Sequence, residues 1–138
     1  MLAAGLEIGA AHGGAERFAV ELASALQADA EVSLCAFWQR GSELETAWLE
    51  TCRAAGLEIF FAARWQGRWN LAAYRRGLAA LIGWCRAHWP DLIHSHFQAG
   101  TLAALTLKRR GLCRAALRTA HITREWGSGP LPWLLRGL

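Results

Sequence analysis

The chain has 138 residues, a length that suits one domain, and its 54% hydrophobic content against 19% charged residues supplies a single buried core and excludes intrinsic disorder. Arg75, Arg76 and Gly77 interrupt the apolar stretch over residues 71–82, which argues against a membrane span, and residues 1–14 carry no basic residue, so no secretory signal is legible there. The net charge is only +4, too small for a dedicated nucleic-acid binder.

The four cysteines, Cys35, Cys52, Cys85 and Cys113, form no C-x-x-C pair and sit among apolar neighbours. This excludes a zinc ribbon or thioredoxin motif and predicts reduced, buried thiols in a cytoplasmic protein.

The order of elements follows from hydrophobic period and punctuation. Over residues 14–28, Phe18, Leu22, Ala25 and Leu26 recur at helical spacing, with Glu16 and Glu21 off that stripe. Residues 31–38 read as a buried strand. Ser42, with Glu45 three residues later, reads as a capping box opening a helix with Leu44, Trp48, Leu49 and Cys52 on one face and Gly56 as its stop. Residues 57–62 form the next strand. Asn70 caps a long helix over residues 71–88, Trp89 and Pro90 end it, and residues 91–96 are a third strand. A helix over residues 100–109, a stop at Gly111 and an alanine-rich strand over residues 114–120 follow, and Pro130, Pro132 and Trp133 mark the start of another helix. Short apolar strands alternating with helices predict an α/β fold, a doubly wound parallel sheet with helices on both faces. The whole chain reads as one domain, without repeats or linkers.

Several short motifs stand out. Gly13 and Gly14 open the first helix, where the absence of Cβ atoms lets backbone N–H groups approach an anion, and a helix N-terminus adds partial positive charge. The same pair also suits a tight turn packing helix on strand. His94 and His96 are two apart on a strand and share a face, but two histidines without a third ligand make a poor zinc site. The only aspartates are Asp29 and Asp91, so no Asp-x-Asp motif is present to hold a metal.

Taken in order, GGAER at Gly13–Arg17, AGLEI ending at Ile59, PDLIHSH at Pro90–His96 and RTAH at Arg118–His121 resemble the N-terminal domain of family 4 glycosyltransferases, retaining enzymes of the GT-B fold. The resemblance implies a Rossmann-like domain that holds the acceptor, faces a donor-binding domain across a cleft, and takes a nucleotide sugar as substrate with neither metal nor other cofactor. It places Gly13, Gly14, Glu16 and His96 by the donor diphosphate and acceptor, and His121 at a strand's carboxyl end, as the catalytic histidine facing the transferred sugar. Arg17 reads as a solvated neighbour. The acceptor would be a glycan or a lipid-linked sugar in polysaccharide or related synthesis, in a bacterial cytoplasm or peripherally at the inner face of the membrane.

Two departures from the family stand out. Residues 1–12 contain a single β-branched residue, Ile8, so the central first strand is expected to be degenerate or missing. The donor-binding domain is not encoded within the 138 residues, so the chain reads as a domain truncated at both ends relative to the family, inactive alone.

Residues 63–76 allow other readings. Arg64, Arg68, Arg75 and Arg76 near Trp65, Trp69 and Tyr74 suit a nucleic-acid surface, an interfacial membrane surface, or an ordinary amphipathic helix start. The modest charge disfavours nucleic acid.

Overall fold

A computed structural model describes residues 2–3, 14–68 and 70–120. The elements are β1 (Leu2–Ala3), α1 (Gly14–Leu26), β2 (Ser33–Gln39), α2 (Glu43–Ala54), β3 (Glu58–Arg64), α3 (Leu71–His88), β4 (Leu92–His96), α4 (Phe97–Arg109) and β5 (Ala115–Thr119). All strand pairs are parallel, in the order β3-β2-β1-β4-β5. Each crossover is a helix. Right-handed crossovers from β1 through β2 to β3 put α1 and α2 on one face, and the return through α3 to the far side of β1 puts α3 and α4 on the other.

The packing divides accordingly. Val20, Ala23, Leu34, Ala36, Cys52 and Leu57 fill the α1/α2 side, while Cys35, Phe37, Leu81, Cys85, Ile93, Ala103 and Leu107 belong to the α3/α4 side. β2 is buried on both faces, as expected for an interior strand of a parallel sheet. β1 is described over two residues, paired with β2 at Leu2↔Cys35 and with β4 at Leu2↔Ser95, so a first strand is present at the centre of the sheet; the rest of residues 1–12 lies outside the described residues.

Helix ends follow the sequence closely. The Ser42 hydroxyl accepts from Glu45 N–H, and the Asn70 carboxamide accepts from Ala72 and Ala73 N–H. α2 ends with Gly56 at φ +72°, where Gly56 N–H donates to Arg53 and Leu57 N–H to Cys52. Gly111 closes α4 in the same way, through bonds to Lys108 and from Leu112 to Leu107. At the end of α3, Trp89 itself takes the left-handed conformation, φ +46°, with its N–H on the Cys85 carbonyl.

Two helix faces differ from expectation. α1 buries Ala15, Ala19, Val20 and Ala23, whereas Phe18 is 41% exposed and Leu26 is exposed. The small residues form a second stripe, and their size lets the helix axis lie close to the sheet, so packing distance overrides side-chain hydrophobicity. On α2 the inward stripe is Glu45, Trp48, Leu49 and Cys52, and Leu44 is exposed. Glu45 takes the core position because its carboxylate accepts from Arg40 N–H at 2.8 Å and Gly41 N–H at 2.7 Å, rather than from Ser42 as a capping box would have it. α4 begins three residues earlier than expected, directly after β4.

α3 approaches the sheet at Gly77, where an added Cβ would lie 3.0 Å from Ala63 Cβ and from Phe37 Cε1 and Cζ. Phe37 is fully buried, edge-on to Trp38 and stacked on Tyr74, so its ring has little room to yield. Gly83, on the same helix, faces open space. Gly83→Ala is therefore expected to stabilise by about 0.5–1 kcal/mol through helix propensity, while Gly77→Ala is expected to destabilise by about 1 kcal/mol as overpacking outweighs that gain. Urea unfolding of the two variants checks this, since equal stabilisation would show that the helix approach is not tight.

Candidate functional site

In an open parallel sheet, ligands bind where strand order reverses and successive crossovers leave toward opposite faces. Here that point lies between β1 and β4, because α1 follows β1 on one face and α4 follows β4 on the other. The helix N-termini of α1 and α4 both open at this carboxyl edge, with N–H groups that have no acceptor within their own helix.

The described residues at the crevice are these. Gly14 begins α1 and is exposed, and a Cβ added to it would meet no described residue within 4 Å. Glu16 lies in the first turn, half-buried. Phe18, one turn along, meets the His96 ring edge-on at 5.9 Å and so ties α1 to the end of β4. His96 is the last residue of β4 and the N-cap position of α4, and its side chain makes no cap hydrogen bond. It is at the rim by position, yet its side chain is wholly enclosed, at 0% exposure. Gly13, His121 and the helix expected near Pro130 lie outside the described residues, as does Trp69.

Below His96 a second layer begins. His94 lies on the same face with ring centroids 4.6 Å apart, and its Nε2 is 2.6 Å from Thr119 Oγ1 at the end of β5. The pairing His96↔Thr119 makes Thr119 the neighbour of both rings, and Ser95, facing the other way, donates its hydroxyl to the Leu117 carbonyl. The histidine pair thus links α1, β4 and β5 in one polar line. The sequence showed Phe18 only as part of a helical stripe and Thr119 only within a strand-end motif, neither as a site residue. Strand register alone points to Thr119, once β4 and β5 are taken as parallel neighbours.

The thiols supply no nucleophile. All four are free and buried. Burial pushes Cys35 up to about 12 and Cys85 up to about 11, so both stay protonated near neutrality. Among the described residues, no group of three or more His, Cys, Asp or Glu is placed to hold a metal ion. Arg17 is exposed, with its guanidinium 5.9 Å from the Trp48 ring centroid.

Two helix N-termini at the switch-point crevice of a doubly wound domain offer free amides at the edge where such folds take their ligands. The sequence model of Glycosyltransferase Family 4 matches residues 12–138, and the chain belongs to that family. Searches of curated proteins and of solved structures gave no match.

Two measurements bear on this region. Thr119→Val removes the hydroxyl from His94 and is expected to cost about 1–3 kcal/mol in urea unfolding, whereas Thr119→Ser retains most of the stability. The raised thiols also set an alkaline limit. Unfolded cysteines lose their protons near pH 9, before the folded ones, so their contribution to stability is complete below that pH and falls as pH rises toward 11–12. Thermal melts between roughly pH 8 and 11 are expected to decline less steeply for Cys35→Ala than for the parent chain.

Proposed function

We propose that this chain is the acceptor-side half of a retaining GT-B glycosyltransferase acting in the cytoplasm, in glycan, lipid-linked sugar or polysaccharide synthesis. Gly13, Gly14 and the first amides of α1 approach the donor diphosphate, His121 contacts the transferred sugar from the end of β5, and His96 holds the wall behind them. A donor-binding partner domain supplies the opposite wall. The observation that carries this reading is the Phe18–His96 contact, which brings the N-terminus of α1 to the end of β4 at the switch point. Gly14 is compatible with it as well, since no described residue would meet a Cβ added there.

The carboxylate of Glu16 lies in the same first turn and competes with an incoming anion for the helix's positive end. Its place fits a contact to sugar hydroxyls better than one to phosphate.

One wall binds weakly. A helix N-terminus contributes about 1 kcal/mol to an anion, far below the ~4 kcal/mol of a millimolar complex. The 138-residue chain alone is therefore expected to transfer no sugar and to show no micromolar binding of UDP- or GDP-sugars by calorimetry. At roughly ten-millimolar UDP-sugar, amide shifts of residues 13–16, 96 and 120–121 are expected to move in 15N spectra. Shifts confined to other residues, or tight binding by the isolated chain, would overturn the proposal.

A further inference from the structure

The described helices cover only half of one face of the sheet. α1 packs on β1 and β2, α2 packs on β3, and α4 packs on β4 and β5 from the opposite face. Over β4 and β5 the α1/α2 face has no described helix above it, although the sheet is apolar there. The register pairs Leu92 with Ala115 and His94 with Leu117, so these four side chains share the face on which His96 meets Phe18. Leu92 and Leu117 are each 51% exposed, whereas Ile93 and Ser95, turned toward α4, are buried.

α1 makes the side wall of a groove. Its inward stripe is the small one, and Phe18 and Leu22, one turn apart, stand on its flank. The Phe18–His96 contact shows that this flank is the one beside β4. The helix runs from the carboxyl edge toward the amino edge, so Phe18, Leu22 and Leu26 descend in the same order as His96, His94 and Leu92. Four of the seven exposed large apolar side chains among the described residues, Phe18, Leu26, Leu92 and Leu117, therefore line one groove. Single exposed leucines are ordinary; a groove that gathers most of them calls for an occupant.

The chain carries a matching stripe. Leu131, Leu134, Leu135 and Leu138 fall at i, i+3, i+4 and i+7, one face of a helix, and Pro132 suits its first turn. Leu131 lies twelve residues beyond Thr119, which ends β5, a reach of up to about 40 Å. Residues 131–138 as a helix are about 12 Å long, against about 16 Å for a five-residue strand. So short a tether holds the segment at millimolar effective concentration, which favours it over any separate molecule. A right-handed crossover to a further strand beyond β5 would instead carry it to the α4 side. There β5 offers Ala116 and Arg118, a small residue and a cation, in place of leucines.

We propose that residues 131–138 dock as a helix in the groove between α1 and the β4–β5 floor, with their leucine stripe against Leu92, Leu117 and the Phe18–Leu22 flank. The docked helix closes over the bond between His94 and Thr119 and anchors the connection that carries His121 at both of its ends. The inference goes beyond the sugar-transfer reading and does not depend on it.

Thiol chemistry on the 138-residue chain tests the proposal. The four native cysteines are buried, and burial pushes Cys35 up to about 12 and Cys85 up to about 11, so they compete little for oxidant or alkylating agent. Under mild copper-phenanthroline oxidation, Leu117→Cys with Leu134→Cys is expected to form an internal disulfide on the order of tenfold faster than Ala116→Cys with Leu134→Cys. Position 116 belongs to the same strand and faces α4, so the pair reports which face is covered. In Leu117→Cys alone, iodoacetamide labelling is expected to rise several-fold when Leu134→Ser and Leu135→Ser are added, and to stay unchanged with Arg136→Ser. Native thiols that remain unlabelled show that each variant is folded. Equal or faster cross-linking from Ala116→Cys, a Leu117→Cys disulfide between two chains in place of the internal one, or labelling indifferent to the two leucines would overturn the proposal.

Discussion

Much of the molecule is arranged around the Phe37 ring. It points from the most buried strand into the α3/α4 layer, where Gly77 removes the side chain that would otherwise hold α3 away. Tyr74, one turn before Gly77, stacks on the same ring and reaches the Ala99 carbonyl with its hydroxyl at 3.4 Å. Ala99 is in the first turn of α4, just after His96. A single aromatic contact therefore positions α3, through α3 the start of α4, and through α4 the wall of the crevice. The carboxyl edge at the switch point is set from inside the layer that does not carry the histidines.

The opposite layer uses a different chemistry. There the helices come close through alanines, and the specific contacts are polar: Glu45 on two backbone amides, His94 on Thr119. Buried polar groups of this kind add little net stability but penalise any other arrangement, because each would be left without its partner. The dry aromatic layer supplies stability and the polar layer supplies register.

Elements with strong local punctuation were legible in the sequence. The Ser42 and Asn70 caps, the Gly56 and Gly111 stops and the strands over residues 57–62 and 91–96 depend on near neighbours in the chain, and each lies within a residue or two of its expected place. The family was legible for a related reason, since its short motifs fall at turns and strand ends. What escaped depends on distance across the fold. Choosing between the Phe18/Leu22 stripe and the Ala15/Ala19 stripe of α1 requires knowing how near the sheet lies. Seeing Glu45 rather than Leu44 turned inward requires knowing that two amides at the end of β2 await a carboxylate. The partnership of His94 with Thr119 needs the β4–β5 register, which no local pattern encodes.

The described pair of β1, Leu2 and Ala3, also bears on how the chain is made. Leu2 pairs with Cys35 early in synthesis, but its other neighbour, Ser95, emerges roughly sixty residues after Cys35, a wait of several seconds, on the order of three to twelve, at ordinary translation rates. Throughout that interval the free side of β1 is an open edge on a half-built sheet, the kind of template on which nascent chains mispair. Along its described residues β1 offers very little ladder to a stranger. There, the short pairing that looks like a weakness in the finished sheet limits the risk while β4 is still being made.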